Sequence, residues 1–148
     1  MARPSKRRSK KAARKSIPVI GDVLLDTTVA VAHLRGVVSV TQRLVEAQTR
    51  YLPTVALGEL HYGLWRSVFR AENRAQLDHW LQVTVLLPIS AATAECYGEL
   101  KQQLALAGTP IPENDLWIAA VALEHGLPLA TRDAHFLRVP GLTVLDWR

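Results

Sequence analysis

At 148 residues, with 49% hydrophobic and 21% charged residues, the chain is long enough to bury one proper core and too balanced in composition for a fibrous or wholly disordered protein. A single cysteine, Cys96, excludes an intramolecular disulfide framework and fits a reducing compartment. The net charge of +5 misleads when read globally, because residues 1–15 hold 8 of the 18 Lys and Arg and no acid, which leaves 10 basic against 13 acidic groups elsewhere.

A block of like charge without apolar periodicity is expected to be disordered, so residues 1–18 read as a basic tail and residues 19–148 as the folded domain. Such a tail can hold nucleic-acid phosphates without sequence preference, or act only as a solubilising extension. It lacks the unbroken apolar run of a secretory signal, although its Arg- and Ser-rich, acid-free character overlaps with that of organelle transit peptides. No stretch approaches the length of a membrane span, which makes a cytoplasmic protein with no membrane partner the expectation.

In chain order, Val23-Leu24-Leu25 is a short apolar run of the kind buried on both faces of a sheet. It ends in Asp26-Thr27-Thr28, where a helix begins that glycine stops at Gly36. Thr27 or Thr28 is the expected cap, leaving Asp26 free. A helix over residues 39–48 follows, then a strand over residues 51–56 with its proline near the start. The next helix, residues 57–65, turns Leu57, Leu60, Leu64 and Trp65 inward and carries Glu59 in its first turn. A polar helix over residues 71–82 holds Leu77, Trp80 and Leu81 against the body. Residues 83–89 form the third strand, and Ser90 caps a long helix that stops at Gly108.

Residues 111–133 are the stretch with the most to say. A helix apolar nearly all round begins after Pro112, with Glu113 or Asn114 available as caps, and ends at Gly126. It opens with Asp115, and the strand behind it runs into Asp133. A short helix over residues 134–137 and a last strand over residues 142–145 complete the chain. Strands alternating with helices at this spacing imply right-handed crossovers and an α/β domain with a mostly parallel sheet of about five strands covered on both faces.

In such a fold Asp26, Glu59, Asp115 and Asp133 all share the edge where strands end, which is where open α/β sheets place ligands. Each alone has a plainer account, as a helix N-terminal or turn acid. Four converging carboxylates repel one another and raise each other's pKa, so a cation is needed to keep them ionised. Hard oxygen ligands without a Cys–His set point to Mg²⁺ or Mn²⁺ rather than zinc, and to metal-assisted phosphodiester hydrolysis. Chance co-location is the competing account, since Glu113 and Asp146 lie near the same edge. No glycine-rich loop follows the first strand, so a dinucleotide or P-loop reading has no support. His61 and His135, close in sequence to Glu59 and Asp133, could approach a phosphate but read first as surface or packing histidines, and the four tryptophans as core rather than as a stacking platform. An aspartyl-nucleophile phosphatase wants a second acid two residues after Asp26, where Thr28 stands.

The segments Leu24-Leu25-Asp26-Thr27, Gly58-Glu59-Leu60-His61-Tyr62-Gly63, Asn114-Asp115-Leu116-Trp117-Ile118-Ala119-Ala120 and Thr131-Arg132-Asp133-Ala134-His135-Phe136, with the closing residues 140–147, occur in order at characteristic spacing. With them the chain resembles the PIN-domain ribonucleases, and specifically the VapC-type toxins of toxin–antitoxin pairs. The resemblance implies an acidic metal pocket of Asp26, Glu59, Asp115 and Asp133 with Thr131 beside it, and Mg²⁺- or Mn²⁺-dependent endoribonuclease cleavage of a structured RNA. It also implies a homodimer neutralised by a small cognate antitoxin, and the helix faces around Leu44 or Leu77 are candidate dimer patches. Thr28 stands where the family usually carries Asn, and the basic tail is not part of its usual pattern. The alternative is a catalytically silent RNA-binding or antitoxin-sequestering module of the same fold.

Overall fold

The structure, a computed structural model, describes residues 20–148. The basic tail expected over residues 1–18 lies outside the described residues. Five strands form one sheet, β1 (Gly21–Leu25), β2 (Ala47–Pro53), β3 (Val85–Leu87), β4 (Leu129–Thr131) and β5 (Val144–Asp146), in the order β3-β2-β1-β4-β5. Every pairing is parallel. The connecting helices are α1 (Thr27–Leu34), α2 (Val38–Glu46), α3 (Thr54–Trp65), α4 (Arg70–Leu81), α5 (Ala91–Leu106) and α6 (Glu113–His125), and a 3-10 turn spans Ala134–Arg138. No described helix is long and apolar enough to cross a membrane.

The central strand is the most apolar. Val23, Leu24 and Leu25 are fully buried, because β1 has a neighbour on each side and helices on its faces. From β1 the chain builds β2 and β3 to one side, then returns to lay β4 and β5 on the other. The order therefore reverses between β1 and β4, and that switch point opens a crevice beyond their carboxyl ends. Asp26 follows β1 directly and Asp133 follows β4 by one residue.

Several local expectations are corrected. The expected strand over residues 51–56 instead starts at Ala47 and stops at Pro53, and Thr54-Val55-Ala56 form the first turn of α3. Ala56, Leu60 and Leu64 at intervals of four make the buried stripe of that helix, and this packing outweighs the strand preference of Thr54 and Val55. Glu59 consequently sits in the second turn of α3, not the first. Trp65, one residue past Leu64, is rotated off the stripe and is 71% exposed instead of inward. Leu44 and Leu77 are each only 1% exposed, so the helix faces they mark belong to the core and offer no dimer patch. At α6, neither Glu113 nor Asn114 caps; Pro112 occupies the N-cap without a side-chain bond.

Two signals stand as expected. Ser90 and Thr93 form a reciprocal capping box at the start of α5. Gly126 ends α6 at φ 62°, a conformation that costs a residue with a Cβ about 1 kcal/mol or more. Helix α5 is tied to α6 through Glu124, which accepts from the Ser90 and Thr93 hydroxyls, and through Tyr97 stacked on Trp117 with ring centroids 3.8 Å apart. These contacts hold α6, and with it Asp115, against the body.

Candidate active site

Asp26 is the best-held side chain of the crevice. It caps α1 itself, contrary to the expectation that Thr27 or Thr28 does so: its Oδ1 accepts from the Thr27 N–H at 2.7 Å. Its Oδ2 accepts from two hydroxyls, Thr28 at 2.7 Å and Thr131 at 2.8 Å. Each hydroxyl oxygen in turn accepts a main-chain N–H from the segment leaving β4. Arg132 N–H donates to Thr28 at 3.0 Å, and Asp133 N–H to Thr131 at 2.9 Å. The corner after β1 and the exit from β4 are thus laced together through one carboxylate. Asp26 is 1% exposed, and burial raises its pKa while the bonds from Thr28, Thr131 and the backbone pull it back.

Asp115 enters from the first turn of α6, whose N-terminal dipole favours a carboxylate. Asp133 caps the 3-10 turn, its Oδ1 accepting from His135 N–H at 2.9 Å. Phe136, fully buried, pins that turn to the core and so fixes the preceding His135. His135 Nδ1 lies 3.1 Å from Asp133 Oδ1 and 3.4 Å from Asp115 Oδ2. Among the described residues, Asp115, Asp133 and His135 each offer a ligand atom, and these atoms all lie within 4.8 Å of one another. The sequence gives His135 as a surface or packing histidine; its place two positions after Asp133, inside a tight turn, sets it against Asp133 and Asp115. His61, half-buried on α3, is not one of the three residues of this group.

The four carboxylates do not collapse onto one point. Asp26 and Glu59 stand beside the Asp115–Asp133–His135 group rather than within it. They are joined to it by charge. Asp115 is pushed up to about 6, first by burial, then by the charges of Asp26 and Asp133, with His135 acting in the opposite direction. Burial likewise raises Glu59, the charge of Asp26 adds to it, and the polar groups of Thr27 and Asn114 oppose it. Even so, the buried Oε1 of Glu59 and the buried hydroxyl of Thr27 have no hydrogen-bond partner among the described residues. Thr131, 1% exposed, donates its hydroxyl to Asp26. The two acids that made chance co-location a concern are engaged elsewhere, Glu113 with Lys101 and Asp146 with Arg148.

A divalent cation suits this donor set. The atoms are carboxylate oxygens with one imidazole, burial raises the pKa values of Asp26, Glu59 and Asp115 with neighbouring negative charge adding at the last two, and a buried Glu59 oxygen lacks a partner among the described residues.

Comparison with known proteins agrees with this architecture. Residues 23–142 match the PIN domain. The chain is similar to Ribonuclease VapC2 of Rickettsia felis, with 30% identity over 129 residues, covering 84% of this chain and 96% of that protein. It is also similar to the tRNA(fMet)-specific endonuclease VapC of Shigella flexneri, 31% identical over 127 residues, covering 84% and 96% of the two chains. Among solved structures, VapBC2 from Rickettsia felis bound to a promoter DNA fragment superposes with a TM-score of 0.80 at 29% identity, covering 86% of this chain and 99% of that one. With the domain matched over most of its length and relatives of this identity spanning nearly their whole chains, the protein belongs to the PIN-domain family, among the VapC-type toxins of toxin–antitoxin systems.

Proposed function

We propose that this chain is a metal-dependent endoribonuclease, the toxin of a toxin–antitoxin pair, that hydrolyses phosphodiester bonds of a structured RNA at the switch-point crevice. The observation that carries the reading is the convergence of Asp115, Asp133 and His135 beside the buried Asp26, at the edge where both flanking strands end. Asp115, Asp133, Asp26 and Glu59 hold Mg²⁺ or Mn²⁺, with His135 joining the two aspartates that it already contacts. Bound there, the cation supplies an acidified water and neutralises charge developing on the phosphoryl oxygens.

The residues of the chain have separable parts. Asp26 is orientation-locked by three donors, so it can serve the crevice without side-chain reorganisation. Thr131 holds that carboxylate and, through the Asp133 N–H, sets the start of the turn that presents Asp133 and His135. Glu59 approaches from α3 with one buried oxygen that has no hydrogen-bond partner among the described residues, a group that a cation would satisfy. His135, 39% exposed at its side chain, reaches solvent and can donate to a phosphate oxygen.

A cognate antitoxin, a homodimeric state and a cytoplasmic location follow from the same family membership, as does an RNA substrate like that for which the Shigella relative is named. The test is cleavage of a mixed RNA pool with Mg²⁺ or Mn²⁺, wild type against Asp115→Asn. Metal-dependent cutting that the variant loses supports the nuclease. RNA retained without cleavage, across a pool that includes tRNAs, supports the silent module instead. Equal cutting by both proteins places the chemistry elsewhere.

A further inference from the structure

The corner between α3 and α4 exposes more aromatic surface than a monomer's outside ordinarily carries. Trp65 is 71% exposed, Tyr62 and Phe69 65% each. Two of the three rings are paired with guanidinium groups. Arg70 lies over Trp65 at 4.3 Å from the ring centroid, and Arg66 over Tyr62 at 5.6 Å. Each pair combines a flat apolar face with a fixed positive charge.

The corner is locally basic. Arg35, Arg66, Arg70 and Arg74 line its two hollows against Glu59 and Glu72, although acids outnumber bases in the chain beyond residue 15. Arg74, one turn further along, is already engaged by Asp78. The corner reaches toward the crevice through Glu59. A cleft of about 460 Å³ begins at Glu59 and is lined by Gly63, Arg35 and Arg66. It shares Leu64 and Ser67 with a second hollow, lined by His61, Trp65 and Arg70. Trp65 lies six residues after Glu59 on one helix, about 9 Å along its axis.

An acidic crevice repels the phosphates of its own substrate, so a strand crossing it needs cationic footing nearby. We infer that the α3–α4 corner is the platform that carries the RNA strand away from the cleavage site. Tyr62 and Trp65 stack bases, while Arg66 and Arg70 hold the phosphates between them. The inference rests on the ribonuclease reading and names the path of that substrate. Stacking is tolerant of base identity, so the platform supplies affinity and direction rather than sequence choice.

The test is fluorescence anisotropy of a 5′-labelled single-stranded RNA twelve-mer with the full chain in EDTA, where cleavage cannot confuse binding. Trp65→Ala is expected to weaken binding about 5- to 10-fold, with Trp65→Phe restoring most of it. Arg66→Gln with Arg70→Gln is expected to flatten the slope of log K against log salt by about 1.4. All four side chains are exposed, so the variants keep the fold. Unchanged affinity and slope in these variants, with wild type still binding, overturn the platform and leave the nuclease reading standing. A wild type that binds no RNA overturns the platform, while the nuclease reading stands or falls by the cleavage assay. If Trp65→Ala instead converts a dimer to monomers in sedimentation at unaltered RNA affinity, the corner belongs to a second copy and the platform is refuted.

Discussion

Replacing Asp115 by Asn should make the metal-free protein more stable at neutral pH, although it disables the site. Folding moves the Asp115 carboxyl from 3.8 to about 6, with burial as the first cause. The native state therefore binds this proton more tightly than the unfolded chain does. Stability is gained as pH falls through 6, the gain is complete below 3.8, and the full penalty applies above 6. Two pKa units correspond to about 3 kcal/mol, and solvent screening at a partly exposed group, together with the lost contact to His135, reduces the net effect to about 1–2 kcal/mol. For a domain of this size that is a rise of about 4–8 °C in melting temperature. Thermal melts in EDTA at pH 7.5, 6.0 and 4.5 read it directly: Asp115→Asn melts above wild type at pH 7.5, and the gap narrows at each lower pH. Adding Mg²⁺ at pH 7.5 then raises wild type more than the variant. A variant that melts below wild type in EDTA, or a gap independent of pH, refutes the claim that uncompensated charge loads this crevice.

Other perturbations separate the parts of the site. Thr28→Val removes a donor to Asp26 and strands the Arg132 N–H, costing about 1–3 kcal/mol by urea denaturation, whereas Thr28→Ser stays close to wild type. His135→Gln is expected to raise the Mn²⁺ concentration needed for half-maximal cleavage about 10-fold or more while leaving the melting temperature within about 2 °C, measured by metal titration. Trp80→Ala should cost about 3–5 kcal/mol, and Trp65→Ala under about 0.5 kcal/mol, a contrast that calorimetry checks directly.

Much of this fold is legible in the order of residues, and the exceptions are physical. The run Val23-Leu24-Leu25 announces a strand buried on both faces, and Ser90 and Gly126 announce helix ends, because each signal acts within a few residues. The position of Asp26, Asp115 and Asp133 on one edge also follows from alternation alone, since a parallel sheet admits no other placement. What stayed hidden depends on distant partners. Thr54 and Val55 read as strand until Leu60 and Leu64 claim them for a buried helical face. Trp65 reads as core because it is large and apolar, yet only the axial rotation of α3 decides which of Leu64 and Trp65 faces inward. His135 gains its role from Asp115, twenty residues away, and from the depth at which Phe136 anchors the turn. The strand order, with β4 beside β1, is written in no local pattern.

The two threonine hydroxyls beside Asp26 give the site a property of inheritance. Each passes a hydrogen bond in one direction, from a main-chain N–H of the segment after β4, through a hydroxyl, to the same carboxylate oxygen. Loss of Asp26 therefore releases the strut under Asp133 as well as one acidic group, and a second loss at Asp133 then removes what is already displaced. Effects of the two substitutions on metal affinity should sum to less than their separate parts. A lineage that loses this aspartate is expected to lose the geometry of its neighbours in the same step, because both hydroxyl relays end on one carboxylate oxygen.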